Sequence, residues 1–300
     1  MIKDIVIYFL KEYYKFEMVY ELSNMTWWEA ENKLQQSKVV IIPVGATEQH
    51  GLHLGLGADW IQAWEMADRV GKKIDRVVLP VLPYGVSGHH KEFPGVMTIS
   101  EDTYQKVIFE ILKSLARNGI HRIVFVNGHG GNTAAIIAAA KEARDKYGML
   151  CSICEWWTVW ESRLIFGQGF EAHAGYAETA FMLASRPEAV KMQYAVLTPT
   201  KQLDKEIEII RAGKGKYKEG FVWIPLKTAD VSNTGSMTES HPQDEPGTRD
   251  FSCITKQFSY ELMDEYVDWM CDFVKRFEGF EAPDNKITKE KAMAELDKTP

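Results

Sequence analysis

Four short apolar runs, Val39–Val44, Val77–Leu82, Ile123–Val126 and Leu150–Trp157, alternate with segments of helical periodicity. This alternation constrains the fold more than any other feature of the chain. A run of about four to eight apolar residues has the length of one buried strand. Strands separated by helices pair in parallel, because each helix carries the chain back across a sheet face. The expectation is a three-layer α/β/α fold with a largely parallel central sheet.

The helical segments carry their own punctuation. Thr26-Trp27-Trp28-Glu29 has capping-box form and predicts a helix to about Gln36. Asp59 can cap a helix from Trp60 to about Lys72. Val107, Ile108, Ile111, Leu112 and Leu115 follow the helical period in a segment starting at Ser100 or Asp102, and Gly119 is a left-handed stop. Further helices are expected over Thr133–Tyr147, Ala177–Ala184 and Thr255–Phe277. Residues 197–250 read as irregular and polar. The expected division is an N-terminal extension at 1–25, a single domain at 26–280 and a polar tail at 281–300.

In parallel sheets, ligands bind outside the carboxyl ends of the strands. Polar loops follow the first three runs, at 45–59, 83–95 and 127–132. Glu48 and His50 are two apart, so an extended chain points both to one side. With Asp59 they offer a donor set for a divalent cation such as Zn²⁺ or Mn²⁺. Taken alone, the stretch equally fits two ordinary loop polars and a helix cap.

Composition narrows the partners. The net charge of −7, without a long basic run, argues against nucleic acid or an anionic membrane. No apolar stretch reaches the roughly 18 residues of a membrane span. Met1–Tyr20 lacks the small-residue cleavage site of a signal peptide. Four cysteines in 300 residues do not make a disulfide scaffold. Cys151 and Cys154 sit in an apolar run and read as buried thiols, so a reducing cytoplasm is expected.

Four motifs, in order, resemble the creatininase (creatinine amidohydrolase) family. They are Pro43-Val44-Gly45-Ala46-Thr47-Glu48-Gln49-His50-Gly51 with Asp59, His90-x-x-Phe93-Pro94-Gly95, Asn127-Gly128-His129-Gly130-Gly131-Asn132, and His173-Ala174-Gly175-x-x-Glu178-Thr179. The resemblance spans roughly Trp27 to Arg186. It implies a metal-dependent hydrolase with two divalent ions, Zn²⁺ and/or Mn²⁺, sharing Asp59. Glu48 and His129 would complete one ion, His50 and Glu178 the other. Creatininase itself takes a ligand from a Glu two residues past the His of its N-G-H loop. Here that position is Gly131, and Glu178 is the replacement, which argues against creatinine as substrate. The resemblance also suggests a homo-oligomer, often a hexamer.

The expected chemistry is attack on a carbonyl by a metal-activated hydroxide. Catalytic roles fall to Glu178 and to His173, the latter shuttling a proton to the leaving group. His90, Trp156 and the backbone amides of Gly130 and Gly131 are candidate substrate contacts. His53 reads as a supporting residue, His121 as structural, and His241 as a residue a neighbouring subunit could supply. The leading reading is C–N hydrolysis of a small polar cyclic or formyl amide. A second is C–C ring opening of a cyclic diketone derived from inositol, as in family members that act on dehydro-inososes. Ser232, Asn233, Thr234, Ser236 and Thr238 would favour it by pairing with a polyol. A non-catalytic metal scaffold is the third.

Overall fold

The computed structural model describes residues 20–161, 173–238 and 251–282. The extension before Tyr20, His241 and the polar tail beyond Ala282 lie outside them. Strands β1 (Val40–Val44), β2 (Val77–Val78), β3 (Arg122–Asn127) and β4 (Leu150–Glu155) form one parallel sheet in the order β2-β1-β3-β4. Side chains alternate between two cores, as the strand period of two requires. Val124 and Val126 of β3 face helices α2 (Ala58–Ile74), α6 (Tyr176–Ser185) and α8 (Lys256–Glu278). Ile123 and Phe125 face α1 (Trp27–Gln36), α3 (Glu101–Arg117) and α4 (Thr133–Tyr147). The three-layer expectation therefore holds, with apolar strands buried on both faces. No helix among the described residues is long and apolar enough to cross a membrane.

Local predictions fail where backbone chemistry intervenes. The Val77–Leu82 run forms only a two-residue strand. Pro80 has no N–H to donate, so the ladder breaks and resumes as an isolated bridge between Val44 and Leu82. The Leu150–Trp157 run leaves the sheet at Glu155, and Trp156 opens the short helix α5 (Trp156–Glu161). Within 197–250 stands an antiparallel sheet of β5 (Ile207–Arg211), β6 (Gly213–Tyr217) and β7 (Gly220–Ile224), followed by the single turn α7 (Thr228–Val231). The glycines and lysines of β6 carry little strand propensity, which hides the central strand of the three from the sequence. The sheet closes over a small core of its own around Ile209, Val231 and Met237. Cys151, Cys154 and Cys271 are free, and burial pushes the Cys151 and Cys154 thiols up to about 12.

The chain leaves β1 into α2 on one face and β3 into α4 on the other. Between these two strand ends lies the switch point where an open α/β sheet forms its binding crevice. Two glycines allow α2 to begin there. A Cβ on Gly45 would lie 2.4 Å from the Trp60 amide nitrogen, and one on Gly128 would lie 2.1 Å from the Asp59 carbonyl oxygen. Only glycine lets both strand ends touch the first turn of α2. Gly57, not Asp59, is the helix cap; Asp59 sits inside the first turn, 3% exposed, with its side chain turned toward the crevice.

Gly128→Ala should therefore push α2 off the sheet. The expected cost is about 1–3 kcal/mol, the range for overpacking a close contact. Urea unfolding measures it, and an unchanged midpoint would refute this account of the glycine.

Candidate metal centre

The carbonyl-bearing ends of β1 and β3 and the start of α6 bring Glu48, His50, Asp59, His129, His173 and Glu178 together, all buried. The donor atoms of Glu48, Asp59 and His129 lie within 4.8 Å of one another, as do those of His50, His173 and Glu178. Asp59 joins the two groups. Its Oδ1 is 2.8 Å from His50 Nε2, and its Oδ2 is 3.2 Å from His129 Nδ1. His129 Nδ1 also lies 3.3 Å from Glu48 Oε1, and His50 Nε2 lies 3.8 Å from Glu178 Oε2.

Backbone carbonyls set the orientation of both imidazoles. His129 Nε2 is 3.0 Å from the Val86 carbonyl and His50 Nδ1 is 3.3 Å from the Glu48 carbonyl. Each of these nitrogens donates its N–H to the carbonyl, which leaves the opposite nitrogen facing carboxylate oxygens. Two lone pairs at such distances repel unless a proton or a cation lies between them. Burial opposes charge on His50, yet the Asp59 and Glu178 carboxylates push it up to about 10. His129 is likewise driven well above its ordinary value against burial, chiefly by Glu48. Against burial again, His129 and His90 hold the Glu48 carboxyl well below the usual range, and His50 does so for Asp59. Glu48 Oε2 and Asp59 Oδ2 are buried without a hydrogen-bond partner. A cluster that concentrates this much negative charge, with nitrogen and oxygen donors aimed inward, fits divalent cations.

Around the cluster stands a layer that sequence reasoning reached only in part. Gln49 is its hub. The Gln49 amide nitrogen is 2.7 Å from His90 Nδ1 and donates to the Gly235 carbonyl at 3.1 Å, while its Oε1 accepts from the Gly51 N–H at 3.0 Å. His173 Nε2 donates to the Gln49 carbonyl at 2.7 Å. Burial and the His50 charge push His173 down to about 3, so the ring is neutral. His90, a candidate substrate contact, lines the cavity and is held by partners of its own. It is 1% exposed, with Nε2 3.2 Å from Glu48 Oε1 and Nδ1 2.9 Å from the Thr228 hydroxyl. His53 supports the start of α6 through Thr179, at 2.9 Å, and His121 bonds the Tyr147 carbonyl at 3.1 Å. The Ala174 N–H, held at a φ of +52°, donates to Glu178 Oε2 at 2.5 Å, and burial pushes Glu178 up to about 7.

Two of the hydroxyls expected to greet a polyol are engaged within their own region. Ser232 Oγ donates to the Ser236 carbonyl at 2.5 Å and accepts from the Gly235 N–H at 3.0 Å, and Thr234 bonds Thr198 at 2.8 Å. These two build the loop that docks on Gln49 and are not directed at a ligand. Above the cluster opens a cavity of about 460 Å³. Gly130, Gly131 and Trp157 line it, as does Trp156, which is itself 1% exposed and packs on Phe181. Arg211, Trp223 and Lys227 of the β5–β7 region close its rim. Neither Gln49 nor Arg211 was foreseen: Gln49 stood unremarked inside a motif, and nothing in the local sequence marks Arg211.

The family profile for creatininase, described as creatinine amidohydrolase, matches residues 23–273. A mycofactocin precursor peptide peptidase of Mycolicibacterium smegmatis is 35% identical over 185 residues, 58% of this chain and 69% of that protein. A 3-dehydro-scyllo-inosose hydrolase of Thermotoga maritima is 24% identical over 284 residues, 91% of this chain and 90% of that protein. Among solved structures, a creatininase described with Mn and a variant of Zn-Zn type each superpose with a TM-score of 0.70 at 22% identity, over 87% of this chain and 99% and 98% of theirs. At that identity the superposition establishes a shared fold.

The hub can be displaced without touching a candidate ligand. A Cβ on Gly235, whose φ is +90°, would meet Gln49 Oε1 at 1.7 Å. Gly235→Ala is expected to retain bound metal and to lower turnover about 100-fold, the effect of a roughly 1 Å misplacement. Unchanged turnover would show that Gln49 orients nothing the reaction needs.

Proposed function

Because the chain belongs to the creatininase family and is thereby a hydrolase, we propose that it uses two divalent metal ions, Zn²⁺ or Mn²⁺, to hydrolyse a C–N amide bond in a small polar substrate. The observation that carries this reading is the Asp59 carboxylate, whose two oxygens face His50 on one side and His129 on the other. In this reading Glu48, Asp59 and His129 hold one ion, and His50, Asp59 and Glu178 hold the other. Ions bound there supply an acidified water and a Lewis acid that polarises the carbonyl.

The chain's own residues do the rest. His173 lines the cavity, neutral and tied through Nε2 to Gln49, so its Nδ1 carries the lone pair; it would take a proton there from the attacking water and pass it to the departing amine. The Ala174 N–H keeps Glu178 oriented. Gly130 and Gly131, at the turn leading into α4, line the cavity where negative charge would develop on the carbonyl oxygen. The peptide-bond chemistry named for the Mycolicibacterium relative is also C–N cleavage and supports this choice. C–C ring opening stands second, because the likeness to the inosose hydrolase runs through nearly the whole chain, including the β5–β7 segment.

Metal analysis and turnover test the proposal together. About two divalent ions per chain are expected, with release of amine from formyl amides or short peptides rather than ring opening of keto-inositols. Asp59→Asn should lose metal and activity at once. His173→Ala should keep the metal and lose about 10²–10⁴-fold in kcat, the span of general acid–base assistance. Full activity in either variant would overturn the role given to that residue, and metal binding without any turnover would leave a scaffold.

A further inference from the structure

We propose that Arg211 anchors a carboxylate of the substrate, so that the favoured substrates are amides bearing a free carboxylate remote from the scissile bond. The proposal rests on the hydrolase reading above and narrows its substrate class.

Arg211 closes β5 and lines the same cavity as Glu48, Asp59 and Glu178. It is half-buried, and its guanidinium has no hydrogen-bond or ion-pair partner among the described residues. A partly desolvated guanidinium left unpaired is costly, and its planar fork matches a carboxylate bidentately. The acidic groups of the cavity floor do not satisfy it, since they are engaged with His50, His90 and His129. Lys227, the other cation lining the cavity, is paired at 2.7 Å with Glu92. One guanidinium without a partner among the described residues calls for one negative charge, which favours a carboxylate over a dianionic phosphate.

The backbone places Arg211 deliberately. Between Ile209 and Arg211 the pairing with β6 slips by one residue, a β-bulge, and Gly213 follows at a φ of +94°. Bulges beside binding sites re-aim side chains. Trp157, Leu226 and Met237 line the cavity along with Arg211, giving apolar surface for the body of a ligand whose carbonyl reaches the floor and whose carboxylate reaches the rim.

The test uses matched pairs that differ only in the anchor: N-formyl-4-aminobutyrate and N-formyl-6-aminohexanoate against their carboxamides. Binding to the Mn²⁺-loaded protein is read from tryptophan fluorescence, since Trp156, Trp157 and Trp223 line the cavity, and turnover is read in parallel. Carboxylates should bind about 10- to 100-fold more tightly than their amides, the worth of one charge-assisted contact. Arg211→Gln should abolish that preference, and Arg211→Lys should keep part of it. Equal binding within pairs, a preference that survives in Arg211→Gln (which would send the carboxylate to the metal), or no binding of any carboxylate would overturn the assignment. Turnover of the neutral amides alone would do the same while leaving the hydrolase reading standing.

Discussion

Everything in this site follows from how closely α2 approaches the ends of β1 and β3. The first turn of α2 lies against Gly45 and Gly128, which belong to different strands. That contact sets the Asp59 carboxylate at the switch point, with one oxygen toward the β1 loop and the other toward the β3 loop. A helix set back by the width of a methyl group would leave two separate half-sites. Backbone packing, not the acidity of any one residue, therefore makes a shared carboxylate possible.

Electrostatics then constrain what can occupy the space. Burying carboxylates costs free energy unless positive charge accompanies them. Here the imidazoles of His50 and His129 are steered by carbonyl acceptors so that their remaining nitrogens face those carboxylates. The same geometry serves a proton or a metal ion, and Glu48 Oε2, buried without a partner, is an acceptor that protons on His50 and His129 leave unmet. His90 and His173, by contrast, are kept neutral by burial and by neighbouring charge. Like neighbouring residues thus divide into charge partners and neutral supports according to what each ring faces.

The layer beyond the cluster comes from a distant part of the chain. Met237 and His173 pair backbone to backbone, and Gly235 reaches the Gln49 amide. The second contact joins residues 186 positions apart, and no local pattern announces either. The four motifs were legible because each is a compact strand end, loop or helix start whose residues act near where they lie in sequence. Arg211 was not, because its position depends on a bulge in the pairing of β5 with the Gly- and Lys-rich β6. The hydroxyls of Ser232 and Thr234 misled for a related reason: composition shows that a loop is polar, but not whether its polar groups bond inward.

By itself the sequence determined the layered α/β fold, through strand-length apolar runs between amphipathic helices, and it marked the residues that gather at the strand ends. The tertiary structure decided which of those residues face one another, made His90 a support for Glu48, and carried Arg211 to the cavity rim. The physical reason is range: hydrophobic period and capping act within a few residues, whereas ion pairing, desolvation and close backbone approach depend on distances that only the folded chain creates.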